Sequence, residues 1–114
     1  EETARFITLL AEAVAELAIA NPGYAQPLIQ GRPEIAAQVV FAVQEEFAAT
    51  ATDFLIQRTQ LFYRDQDQGL GALPKVVRLM GQLLQWDEAR KETETLRYQH
   101  DVAASRAWQT EITN

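Results

Sequence analysis

Residues 33–62 read PEIAAQVVFAVQEEFAATATDFLIQRTQLF. Apolar residues recur here at three- and four-residue steps, the period of an α-helix, and not at alternate positions. Pro33 suits a first helical position, where its fixed φ fits and its missing amide proton is not needed. From there the spacing predicts a helix whose stripe is Ile35, Val39, Ala42/Val43 and then Glu46. Its opposite side carries Ala36, Val40, Phe41 and Phe47, so it is apolar nearly all round and belongs at the centre of the fold. Thr50-Ala51-Thr52-Asp53 has the form of a capping box. The Thr50 hydroxyl can accept from a free first-turn amide while the Asp53 carboxylate reaches back. A third helix should follow to about Phe62, with Phe54, Leu55, Leu61 and Phe62 facing inward; the break before Thr50 is either a loop or a sharp bend.

The flanks extend the same pattern. Upstream, Ile7, Leu10, Ala11, Val14, Leu17 and Ala18 draw one apolar stripe over a helix from about Thr3 to Ala20. Asn21-Pro22-Gly23 stops it, and residues 24–32 form a connector with room for one helical turn. Downstream, residues 63–73 read as a polar, glycine-containing loop. Pro74 opens a fourth helix with Val76, Val77, Leu79, Met80, Leu83 and Leu84 on its core face, closed by Trp86. Asp87 is a good N-cap for a long fifth helix to about Trp108, mostly polar and so packed along one narrow side. With 114 residues there is enough chain for one core, and the five Gly and four Pro sit between periodic segments. An all-α bundle of about five helices, one domain over residues 1–114, is the predicted architecture.

Charge and composition narrow the function. Sixteen acids against ten bases give a net charge of −6, which repels phosphate backbones and argues against a nucleic-acid partner. Without cysteine, neither a disulfide framework nor a thiolate metal site can form. The longest apolar run, Ile35 to Val43, is too short to span a bilayer. Glu1 opens the chain and Met80 is its only methionine, so a trimmed piece of a larger protein is expected.

Candidate chemistry is sparse. The one histidine, His100, and the one serine, Ser105, lie on the same predicted helix five residues apart. That is about 140° around its axis, which separates a base from a nucleophile. Residue 97, three before His100, is Arg, so the Glu-x-x-His of a di-iron bundle is absent. Asp65 and Asp67 resemble the start of a calcium loop but lack its glycine and closing glutamate at the required offsets. Gly69-Leu70-Gly71 is too short for a phosphate loop. Hence no catalytic, cofactor-binding or metal-ligating residue is expected. Lys75 and Arg78 beside Val77, Leu79 and Trp86 fit a membrane-surface helix, although interior packing explains the same apolar residues. Two charges do fall on apolar stripes. Glu46 continues that of the second helix, and Arg58 stands four residues after Phe54 and three before Leu61. A buried charge needs a partner, so a buried or half-buried Glu46–Arg58 ion pair is predicted; the alternative leaves both at helix ends, reaching water.

Residues 43–63 resemble the C-terminal helical domain of FAD-dependent, aerobic glycerol-3-phosphate dehydrogenases and alpha-glycerophosphate oxidases. In that family a Glu is followed by a small residue, a Thr, a helix-capping Asp and an Arg-Arg-Thr run. Glu46, Thr50, Asp53, Arg58 and Thr59 match, and Gln57 replaces the first Arg. Tyr24 to Gly31 with Pro27-Leu28, then Leu83-Leu84-Gln85-Trp86-Asp87 with Arg90 and Tyr98, are similar in order and spacing, so the likeness covers roughly residues 9–108. The resemblance implies a flavoprotein oxidising sn-glycerol 3-phosphate to dihydroxyacetone phosphate, with electrons passing to quinone, or to oxygen in the oxidases. It implies FAD and substrate held by a preceding large domain, none by this fragment, and a helical cap that allows homodimer contacts. It further implies a cytoplasmic enzyme, peripheral on the inner face of the cytoplasmic membrane. The reading that competes with it is a free-standing helical interaction or dimerisation module.

Overall fold

In the computed structural model, residues 2–113 are described in backbone and residues 11–108 in side chains. Five α-helices occur among them: α1 (Glu2–Ala20), α2 (Ala36–Glu45), α3 (Leu61–Arg64), α4 (Leu73–Leu84) and α5 (Glu88–Thr113). A 3-10 turn at Pro22–Ala25 and a π-helix at Asp53–Gln57 complete the helical content. An isolated antiparallel bridge, Pro27 to Ile35, is the extended pairing among the described residues. The chain is an all-α bundle.

α1 stops where the sequence placed its stop signal, with the Asn21 side chain accepting from the Gly23 amide at 3.0 Å. Val14, Leu17 and Ala18 are half-buried against the bundle, whereas Ala11 is exposed; Ile7 and Leu10, expected on the same stripe, lie outside the described side chains. α2 begins three residues later than Pro33. The Pro27–Ile35 bridge holds Ile35 extended (φ −121, ψ 164), and the Gln38 side chain takes its amide at 2.7 Å. Pro33 therefore belongs to the preceding turn, in which Gly31 has φ 85. α2 is the central helix: Ala36, Ala37, Val39, Val40 and Ala42 are all buried.

After α2 the chain breaks before Thr50, and the break comes ahead of Phe47, which was expected on the helix. Phe47 has φ 58, the left-handed region, and the Ala48 amide returns to the Ala42 carbonyl at 2.9 Å, ending the helix. Its ring is 84% exposed, contrary to its place on an apolar side of α2. The third helix is also divided. Residues 51–57 are helical and wind into the π form from Asp53, burying Phe54 and Leu55 side by side. Thr59 then interrupts. Its hydroxyl donates to the Leu55 carbonyl at 2.8 Å and accepts from the Leu61 amide at 3.1 Å, so one side chain closes the π-helix and opens α3. Phe62 is only half-buried.

Residues 65–72 form consecutive turns, gathered by the Asp65 carboxylate, which accepts from the Asp67 amide at 3.2 Å and the Gly69 amide at 3.0 Å. Arg32 pairs with the same carboxylate at 3.5 Å and donates to the Arg64 carbonyl, fastening the early connector to this turn. α4 buries Leu73, Val76, Val77 and Met80, while Leu84 surfaces at 38% exposure because the helix ends there. Gln85, with φ 59, reverses the chain. Asp87 accepts from the Arg90 amide at 2.8 Å and starts α5, which buries Glu94, Tyr98 and Val102 at four-residue steps. Asp87→Ala is expected to lower stability by about 1 kcal/mol, read as a shift of the urea midpoint.

Candidate functional site

Apart from its core, the chain's most specific chemistry lies in three polar locks. The first joins α2 to the π-helix. Arg58 lies 3.6 Å from Glu46 and 3.6 Å from Asp53, and its guanidinium also reaches the Glu46 carbonyl at 3.4 Å. All three side chains are between a quarter and a third exposed. Water therefore screens the attraction, and each pair is worth no more than about 1 kcal/mol. The Thr50 hydroxyl accepts from the Asp53 amide at 2.9 Å, but the Asp53 carboxylate turns to Arg58 and not back to the Thr50 amide, so the capping box is one-sided.

The second lock supplies what that box lacks. Glu94, on α5, is 1% exposed, and its carboxylate accepts from the Ala51 amide at 2.8 Å and from Arg90 Nε at 2.9 Å. A carboxylate at a helix start satisfies a free amide and complements the positive end of the helix dipole. Arg90 also donates to the Ala49 carbonyl at 3.2 Å and stacks over the Trp86 ring, 4.8 Å from its centre. The Glu94–Arg90 pair thus ties the head of α5 to residues 49–51. Glu94 was not among the residues singled out from the sequence, because α5 carries charges on nearly every side. The available signal was its four-residue spacing to Tyr98 and Val102.

The third lock is at Tyr98, buried beside Phe62 with its hydroxyl donating to the Gln68 carbonyl. Gly69 (φ 83) sits against it: a Cβ there would lie 2.8 Å from the Tyr98 oxygen. Burial pushes the Tyr98 hydroxyl well above the usual tyrosine range, and Asp65 and Asp101 add to the effect. The folded chain therefore holds this proton more tightly than the unfolded chain. The stability linked to it is whole below the unfolded value near about 10 and is lost as pH rises through the folded one. Urea midpoints should fall with pH above about 10, and less steeply in Tyr98→Phe.

His100 projects to solvent at 83% side-chain exposure, 4.0 Å from Asp101, while Ser105 Oγ lies 3.4 Å from Gln68 Nε2. The structure does not bring them together. Among the described residues no group of three His, Asp or Glu is placed to hold a metal ion. The first glycine of the Gly69-Leu70-Gly71 turn packs against the Tyr98 hydroxyl. Lys75, weighed as part of a membrane-facing helix, reaches the Pro27 carbonyl at 3.3 Å.

Fold and locks together define a small all-α domain: a core fastened by side chains that hold segments in place. The model of the C-terminal domain of alpha-glycerophosphate oxidase matches residues 9–91, and the chain belongs to that family. It is 42% identical over 81 residues, 71% of its length, to a probable mitochondrial glycerol-3-phosphate dehydrogenase of Dictyostelium discoideum, of which it covers 12%. It is 39% identical over 67 residues, 59% of its length, to the mitochondrial glycerol-3-phosphate dehydrogenase of Bos taurus, of which it covers 9%. The Arabidopsis thaliana mitochondrial enzyme is 29% identical over 85 residues, 75% of this chain and 13% of that protein. The chain thus spans about an eighth or less of each of these relatives. No solved structure matches it significantly.

Proposed function

We propose that this chain is the structural cap of an FAD-dependent glycerol-3-phosphate dehydrogenase. The whole protein would oxidise sn-glycerol 3-phosphate to dihydroxyacetone phosphate and pass the electrons to a quinone. Membership of the C-terminal-domain family carries this reading. The flavin and the substrate belong to the preceding domain of the same chain, and this domain contributes rigidity. Glu94, buried and doubly bonded, is the residue on which that rigidity most depends. A quinone acceptor is dissolved in lipid, so in this reading the working enzyme sits peripherally on a membrane, and the inner face of the cytoplasmic membrane is the location we propose.

The test is the full-length protein. Purified, it should carry a yellow chromophore with flavin absorption and reduce an artificial dye only when glycerol 3-phosphate is added. A flavin-loaded, folded protein that leaves the dye oxidised would remove the substrate assignment. A full-length protein without flavin would favour the free-standing interaction module instead.

A further inference from the structure

We propose that the end of the bundle around Phe47 is the surface on which the preceding domain of the same chain docks, with the Phe47 ring as its anchor. The inference rests on the reading of this chain as the C-terminal part of a longer dehydrogenase. Two local arguments fail to explain Phe47. Its backbone is in the left-handed region, φ 58, where glycine is favoured and a bulky aromatic is an outlier. Its ring is 84% exposed, so the core does not select it either. A residue chosen neither for its backbone nor for burial within the domain is explained by a contact outside it.

The surroundings have the make-up of an interface centre. Ala49, two residues on, is exposed and shares a shallow surface groove with Leu84, Trp86 and Arg90, where the ends of α4 and α5 meet. The Arg58 guanidinium reaches the carbonyl of Glu46, the residue that precedes Phe47. Aromatic and arginine side chains are the residues most enriched where protein partners bind tightly. Both guanidiniums are already oriented, Arg58 by Glu46 and Asp53, Arg90 by Glu94 and the Trp86 ring, so little side-chain freedom remains to be lost on docking. The occupant is the preceding domain because the matched family is a C-terminal domain and the relatives are many times longer than this chain.

Thiol labelling of the full-length protein tests this. Phe47→Cys and, as reference, Leu96→Cys are made separately. Leu96 is 58% exposed on the outer face of α5, two residues from each of the inward-facing Glu94 and Tyr98. Maleimide addition is followed by the mass of the peptide bearing each site. Docking predicts a rate at position 47 at least about tenfold below that at position 96. Equal rates, fast or slow, overturn it. The protection must also be unchanged by dilution, since protection that disappears as a dimer dissociates would assign the surface to a second copy and overturn the proposal. Ala49→Cys then serves as reporter with and without Phe47→Gly, a change that suits the backbone and removes only the anchor. Its labelling should rise about tenfold when the ring is lost, and an unchanged rate counts against the proposal. A protein protected at position 47 but inactive on glycerol 3-phosphate would sink the functional reading alone. An active protein with equal labelling rates would sink the docking surface alone.

Discussion

Arg90→Met is expected to lower the stability of the domain by about 2–3 kcal/mol, far more than a half-exposed arginine usually contributes. The Arg90 side chain is 43% exposed, but that of its partner Glu94 is 2% exposed. Removing the arginine leaves a carboxylate in the core with the Ala51 amide as its remaining bond. It also strips the stack from Trp86 and the bond to the Ala49 carbonyl. The charge left behind dominates, so Arg90→Met with Glu94→Leu should recover part of the loss even though it removes both ionic partners. Urea midpoints of the single and double variants decide it. A double variant no more stable than Arg90→Met would show that the stranded carboxylate is not the source of the loss.

Gly69→Ala is expected to cost about 3 kcal/mol, from left-handed strain plus displacement of the Tyr98 hydroxyl from its bond. The added methyl would stand 2.8 Å from that oxygen and 3.3 Å from the Leu61 Cβ. Tyr98→Phe alone leaves the Gln68 carbonyl without its donor, a cost of about 1–2 kcal/mol. Together the two should cost less than their sum, because the phenylalanine removes the atom that the alanine strikes. Strict additivity of the unfolding free energies would place the strain in the backbone alone and not at the tyrosine.

The spans of α1, α4 and α5, the stop at Asn21 and the role of Asp87 were legible because each rests on chemistry within four residues of the site. Glu46 and Arg58 could be named together because each put a charge on an otherwise apolar stripe. Four features escaped the sequence. The π winding at Asp53–Gln57 lets Phe54 and Leu55 both reach the core, which a 3.6-residue period does not anticipate. Thr59 divides the third helix through a hydroxyl that serves two backbone groups at once, where a threonine ordinarily reads as neutral. Glu94 was hidden by composition, because a buried acid on a charged helix looks like any other until its neighbour from residue 51 is in view. Phe47 read as an apolar helical residue because periodicity registers hydrophobicity and is blind to the sign of φ.

The cation stacked on the Trp86 ring gives the domain a built-in optical gauge. Indole emission responds to a nearby charge and to wetting. With Trp108, 63% exposed, replaced by phenylalanine, the indole fluorescence of the chain would come from Trp86 alone. Release of Arg90 from that ring would then register as a change in colour and brightness, so loosening at the head of α5 could be timed separately from the unfolding of the whole.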